Sequence, residues 1–235
     1  MNLGVMQPYF FPYIGYWQLI SIVDKFVVYD DVNYINRGWV NRNRILINGE
    51  PKFINLHLHN SSQNKLINEI QVSKEPAFKI KLLKTLENNY KRAPYFETVY
   101  PLIKNLILNP EMNLSRYLET SIKEICGYLE IGTEIIRSSA IKKNNSLRGQ
   151  DKIIEICNNL KTETYINSIG GLSLYSNETF ENNNLTLFFL KPGIPEYTQF
   201  NNEFISGLSI IDVLMFNSIE QVKEMLNNYE LVKNG

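Results

Sequence analysis

Two adjacent carboxylates, Asp30 and Asp31, follow the apolar run Phe26–Tyr29. At the end of a buried strand a carboxylate can act as a general base, hold an amine or metal, or bind a ribose hydroxyl. Successive strand residues face opposite ways, so only one of the two is expected to enter a site. A turn or capping role is the plainer alternative. A basic cluster comes next, with Arg37, Arg42 and Arg44 interleaved with Asn41 and Asn43. On an extended backbone Arg42 and Arg44 share one face, and two guanidinium groups there suit a phosphate, pyrophosphate or carboxylate. We therefore expect Asp30, Asp31 and Arg42 to be catalytic, with Arg37 and Asn41 as ligand contacts. Surface pairing of the arginines with the aspartates is the simpler reading.

Further along, Asn167-Ser-Ile-Gly170-Gly171 follows a short apolar run. Two glycines at a strand's carboxyl end permit close backbone approach to a ligand. Tyr175 is near enough to reach the same crevice. Ser138 and Ser139 also follow a strand-like run; Ser139 could bind a phosphate oxygen, or either could cap a helix. His57 and His59 share a strand face, but no cysteine or third histidine accompanies them, so no metal site is expected.

These residues need a frame that brings them together. Leu3–Met6 reads as a buried strand, Ile14–Val23 as a helix and Phe26–Tyr29 as a second strand, which is the βαβ unit of a parallel sheet. The loop Gln7–Tyr13 then lies at the carboxyl end of the first strand, where such sheets place ligands. Its Gln7, Tyr9 and Tyr13, with Tyr16 beyond, are expected to face a ligand; the alternative is that the aromatics only wall a core. Arg44–Asn48 and Pro51–His59 read as strands about Asn48-Gly49, a tight-hairpin signal. Helical spacing appears from Pro76, with Phe78, Leu82, Leu86 and Tyr90 on one face and Pro94 ending the helix or starting a loop, and again over Phe96–Leu108 and Leu114–Leu129. The βα rhythm then resumes, with strands at Glu134–Arg137, Thr164–Asn167 and Leu185–Leu190 and a helix at Ser146–Leu160. Helices at Phe204–Phe216 and Ile219–Tyr229 close the chain. The expected fold is an α/β, Rossmann-like, doubly wound parallel sheet. Its first strand is central and its front and back halves lie on opposite sides. Residues 1–235 form one domain in this reading, with 32–130 as a hairpin and helical subdomain inserted between the halves.

The chain has 235 residues, 24 basic and 24 acidic side chains, and no net charge. Extended contact with nucleic acid or an anionic membrane is not expected. No run of about 18 apolar residues is present, so membrane insertion is not expected. Nor does the N-terminus read as a signal peptide. Cys126 and Cys157 sit among apolar helical neighbours and read as buried free thiols of a cytoplasmic protein.

The segment FFPYIGYWQLI is similar to the nucleotide-binding loop of the HIGH-type nucleotidyltransferases. Tyr13-Ile14-Gly15-Tyr16 stands where that group has His-x-Gly-His, so both histidines are tyrosine here. Tyrosine donates a hydrogen bond but carries no positive charge. The resemblance implies the fold and a ligand-facing helix start more than it implies adenylyl transfer.

A longer resemblance covers nearly the whole chain. MQPYFFPYIGYWQLI, VVYDDVNYINRGWVNRNRIL, TYINSIGGLSLY and F-x-x-x-LSIIDVLMFN closely resemble the WbqC-like proteins. The motif residues fall on Gln7, Tyr13, Asp30, Asp31, Arg37, Asn41, Arg42, Asn167, Gly170, Gly171 and Asp212. This resemblance implies a role in bacterial O-antigen or other surface-polysaccharide synthesis. The activity it implies is transfer of an aminoacyl group, glycyl for one, to an amino sugar or its nucleotide-linked form. ATP, with Mg, would activate the carboxylate, or an activated aminoacyl donor would arrive from elsewhere. Two other readings stay open: a sugar-related nucleotidyltransferase, and a non-catalytic nucleotide- or sugar-binding protein.

Overall fold

In chain order, the computed structural model opens with β1 (Asn2–Met6), α1 (Ile14–Ser21) and β2 (Lys25–Val28). It describes residues 1–200 and 203–233. Next come the hairpin β3 (Arg42–Ile47) and β4 (Glu50–Asn55), then the short pair β5 (Leu58–His59) and β6 (Gln71–Val72). Three helices follow, α2 (Pro76–Tyr90), α3 (Phe96–Leu108) and α4 (Leu114–Tyr128). The chain then runs β7 (Glu134–Arg137), α5 (Gly149–Asn159), β8 (Thr164–Ser168), α6 (Asn177–Glu181) and β9 (Thr186–Pro192). It closes with α7 (Ile210–Phe216), α8 (Ile219–Leu226) and β10 (Tyr229–Val232).

The central sheet has six strands in the order β10-β9-β8-β1-β2-β7. Five are parallel and β10 is antiparallel to β9. This is the Rossmann-like α/β fold expected from the alternation of strands and helices. β1 is central, as right-handed crossovers require.

Two details differ from expectation. β7, the first strand of the back half, joins β2 on the front side, so the sheet reverses direction between β1 and β8 rather than between the halves. The chain end read as helix up to Tyr229 instead forms β10. Asn227 caps α8, and Tyr229–Val232 turns back to pair with Phe189–Pro192. The apolar spacing from Leu226 to Tyr229 fits both a helix and a strand entering the sheet, and periodicity alone does not separate them.

Strand alternation divides the core between the two sheet faces. Leu3, Val5, Val27, Tyr165, Leu187 and Phe189 point to one layer, packed on Ile153, Ile156 and Cys157 of α5. Phe26, Val28, Ile166 and Leu190 point to the other, packed with α1, α7, α8 and the helices α2–α4. α1 is buried from Ile14 to Ile20, and its Gln18 Nε2 donates to the carbonyls of Gly193, Met225 and Asn228 at 2.8 Å each. The β3–β4 turn carries Asn48 at φ 54° and Gly49 at φ 80°, the tight hairpin that Asn-Gly favours. Cys126 and Cys157 are buried free thiols whose burial pushes each pKa up to about 12, so neither is a nucleophile at neutral pH. Among the described residues no helix is long and apolar enough to cross a membrane.

Candidate functional site

The loop after β1 is held by groups far away in sequence. Asn43 Nδ2, on β3, donates to the carbonyls of Phe10 (3.1 Å) and Phe11 (2.7 Å). Ser209 Oγ, at the start of α7, donates to the Phe11 carbonyl at 2.7 Å. Trp17 Nε1 and the Ile210 amide both donate to the Pro12 carbonyl. Phe11 sits at φ 44°, a left-handed conformation that is strained for a bulky side chain. Phe10 and Phe11 are fully buried. The two phenylalanines wall the core, while Tyr9 and Tyr13 turn outward.

A crevice of about 410 Å³ opens between this loop, β3 and the turn after β8. It lies at the reversal of strand order between β1 and β8, where open α/β sheets bind ligands. Tyr9, Tyr13, Trp39, Arg44 and Gly170 line it. The Arg44 Nε is buried without a hydrogen-bond partner. Its Nη2 reaches the Gly207 carbonyl only at 3.5 Å, and its guanidinium carbon stands 5.9 Å from the Trp39 ring centroid. A guanidinium with free donors in a partly desolvated crevice is a ready anion holder. Burial raises the pKa of Tyr9, with help from Tyr13, and that of Tyr13. Both phenols are therefore neutral hydrogen-bond donors at neutral pH. Trp39, 39% exposed, stands at the mouth, where its face can stack on a ring.

The HIGH-like quartet divides. Tyr13 faces the crevice, but Tyr16 is 1% exposed, packs on Phe26 and donates its hydroxyl to the Gln7 carbonyl. Tyr16 is a core residue and not the ligand contact expected from its place in the motif. Gln7 contributes that carbonyl, so its backbone orients Tyr16. Gly15 has a steric reason: a Cβ there would come within 2.6 Å of the Tyr13 ring.

The arginines also divide. Arg42 and Arg44 do share a face of β3, but Arg42 Nε donates to Gly38 O, its Nη2 donates to Arg37 O, and its guanidinium lies 4.4 Å from the Phe53 ring centroid. Arg42, expected to be catalytic, thus braces the 37–38 turn, and Arg44, expected only as its partner on an anion-holding face, takes the place in the crevice. Arg37 is exposed at φ 61°. Asn41 accepts from Tyr34 Oη and donates to the Leu56 carbonyl, a structural bridge. Asn167 is buried and its Oδ1 accepts the Ser168 amide. Gly171 leaves room for Asn167 and Tyr175, since a Cβ would come within 2.3 Å of the Asn167 amide nitrogen. Tyr175 packs on Tyr165 and Phe180 in the second core layer, so of this motif the Ser168–Gly170 turn alone lines the crevice.

Asp30 and Asp31 lie beyond the end of β2, outside the strand, and neither lines this crevice. Asp30 is fully buried. Its carboxylate accepts from Ser115 Oγ (2.7 Å), Ser139 N (2.9 Å) and Ser139 Oγ (2.7 Å). It ties the end of β2 to α4 and to the residues after β7, which leaves Ser139 engaged with Asp30. Asp31 pairs with two buried lysines, Lys143 (2.7 Å) and Lys152 (3.2 Å). Burial alone would raise its pKa, but Lys143, Ser138 and Lys152 outweigh that and hold it below the usual carboxylate range. A depressed folded-state pKa stabilises the fold above the unfolded value of about 3.9, and this contribution is lost as pH falls through the folded value. Asp31→Asn is therefore expected to cost most stability at neutral pH and progressively less in acid, as measured by urea unfolding across that range. A deficit that grows in acid would contradict the pairing.

Asp212, in the first turn of α7, is fully buried and accepts from Tyr90 Oη, Tyr197 Oη and Gln199 Nε2. His57 stacks on Phe78 with centroids 4.7 Å apart, and His59 contacts Asn60.

The profile of the WbqC-like protein family matches residues 7–224, which include the loop, the hairpin and the turn after β8. A Mycobacterium tuberculosis (strain ATCC 25618 / H37Rv) protein, the uncharacterized Rv1507c, is 26% identical over 221 residues, covering 91% of this chain and 92% of its own. No solved structure matches significantly.

Proposed function

Because the chain belongs to the WbqC-like protein family, we propose that it is an aminoacyltransferase acting on an amino sugar, carried on a nucleotide, for bacterial surface polysaccharide such as O-antigen. The observation that carries this is Arg44, with its unpaired buried Nε, in the crevice where the strand order reverses. That position suits a phosphoryl group. Tyr9 and Tyr13 donate hydrogen bonds beside it, and Trp39 stacks on the base or sugar ring.

Amide formation requires an activated carboxylate. In this reading the glycine carboxylate attacks the α-phosphorus of ATP, forming glycyl adenylate and releasing pyrophosphate. The sugar amine then attacks the carbonyl, the C–N bond forms, and the C–O bond to AMP breaks. Arg44 balances charge on the phosphate. Among the described residues no carboxylate lines the crevice, so a magnesium ion would be carried by the triphosphate, and the amine proton leaves to a phosphate oxygen or to water. Nucleotidyl transfer in the HIGH manner is disfavoured, since Tyr16 is buried on the Gln7 carbonyl and cannot meet a phosphate.

Incubation with ATP, glycine and a uridine-diphosphate amino sugar tests the proposal by mass spectrometry. We expect a product heavier by one glycyl group, with AMP formed in equal amount. Nucleotide binding without turnover of any aminoacyl donor would replace this reading with that of a binding protein.

A further inference from the structure

A second cleft, of about 260 Å³, opens beyond the ends of β2 and β7. Asp31, Ser139, Arg148 and Lys152 line it, with Asn68 on the opposite wall. Lys143 backs it, paired with Asp31. Three cations therefore surround Asp31, with Asp30 as a second carboxylate behind Ser139, which leaves one positive charge in excess among these groups.

The donors divide between occupied and free. Lys143 is filled by Asp31 and the carbonyls of Ser138 and Ile141. Lys152 spends two of its three N–H groups on Asp31, one on the backbone carbonyl at 2.8 Å and one on the carboxylate at 3.2 Å, and its ammonium stands 5.2 Å from the Tyr29 ring centroid, a weak contact that an anion can displace. Arg148 uses Nη1 on the carbonyls of Asn145 and Leu147, which leaves Nε and Nη2. Burying two lysines around one aspartate is costly for stability alone, because a single carboxylate cannot neutralise both.

We propose that this cleft is a second anion subsite, taking a phosphoryl group of a phosphorylated substrate on Arg148 and the remaining donor of Lys152. Asp31 is the positioning residue that holds the lysine in place. The subsite rests on the preceding reading in that it assigns the enzyme a second phosphate contact. The first crevice lies between β8 and β1 and this cleft between β2 and β7, so the two are about two strand spacings, roughly 10 Å, apart. A nucleotide bearing a distal phosphate, or two phosphorylated substrates side by side, spans that distance.

Calorimetric titration of the full chain with inorganic pyrophosphate tests this. We expect two sites per chain. Arg148→Ala, at an exposed residue outside the core, should weaken one of them at least about tenfold, and Arg44→Ala should weaken the other. Titration with ATP and with a uridine-diphosphate amino sugar then identifies the source, because the ligand that uses the cleft loses affinity in Arg148→Ala. Arg148→Glu should deepen the loss. A single site sensitive to Arg44 alone would overturn the second subsite and leave the first crevice intact. A single site sensitive to Arg148 alone would support the cleft and overturn the first crevice. Pyrophosphate binding indifferent to Arg148 in every form would also overturn the proposal.

Discussion

Asp30→Ala is expected to unfold this protein more readily than any single change in the crevice. The substitution leaves the fully buried Ser115 Oγ without its acceptor, and releases Ser139 Oγ and the Ser139 amide, which belong to an exposed residue and can turn to water. The stranded Ser115 donor costs about 1–3 kcal/mol, and the lost Ser139 bonds add a smaller amount because water replaces them, so a net loss of about 3 kcal/mol follows. For a domain of this size that is a fall in Tm on the order of 10 °C. Asp30→Asn makes the comparison sharp. Its amide nitrogen can replace the oxygen that accepts from the two serine hydroxyls, which rotate and accept instead, while its carbonyl keeps the Ser139 amide. Asn should therefore recover part of the stability lost in Ala, at a cost of about 1–2 kcal/mol relative to wild type. Thermal and urea unfolding of the three proteins measure this directly. If Asn retained the fold and abolished turnover, Asp30 would have a chemical duty that its buried hydrogen bonds do not indicate.

Arg44→Ala is expected to have the opposite profile, with a large loss in ligand affinity and little in stability. Its guanidinium makes one long hydrogen bond and a distant contact with Trp39, so its removal should cost the fold no more than about 1 kcal/mol. Binding of a nucleotide in the crevice should weaken about 10- to 100-fold, the worth of a charge-assisted hydrogen bond to phosphate. Arg42→Ala is the matched control. Arg42 braces the turn at Arg37 and Gly38 and covers Phe53, so it should cost about 1 kcal/mol of stability while leaving nucleotide affinity within about twofold. Equal loss of affinity in the two variants would mean that the whole β3 face, rather than Arg44, holds the anion.

These two predictions also mark what the sequence makes legible. The parallel sheet is readable because its strands are apolar runs that end on turn signals, and the Asn48-Gly49 hairpin because only a few residue types accept its positive φ angles. The loop after β1 and the Ser168–Gly170 turn are placed at a crevice by the same reasoning. Roles within a motif are harder to read. Arg42 and Arg44 are chemically identical and share a face; which one meets the crevice depends on Arg37, Gly38 and Phe53, and no local pattern contains that. Tyr13 and Tyr16 lie on successive sides of one turn, and the packing of Phe26 decides that Tyr16 is inside. Lys143 and Lys152 meet Asp31 across more than a hundred residues, so no spacing rule can pair them. β10 is missed because a short alternating segment after an amphipathic helix carries both periods at once.

The strained turn at Phe11 has a kinetic consequence. Its carbonyl is held from β3 by Asn43 and from α7 by Ser209, so the crevice wall is already fixed before any ligand arrives. A nucleotide meeting this wall has no loop to order and loses none of its interaction energy to that ordering. Association should then be a single bimolecular step whose observed rate rises linearly with ligand concentration, without the plateau that a preceding rearrangement imposes. Loosening the anchor, as in Ser209→Ala, should add that plateau, because the wall would sample open forms that must close first.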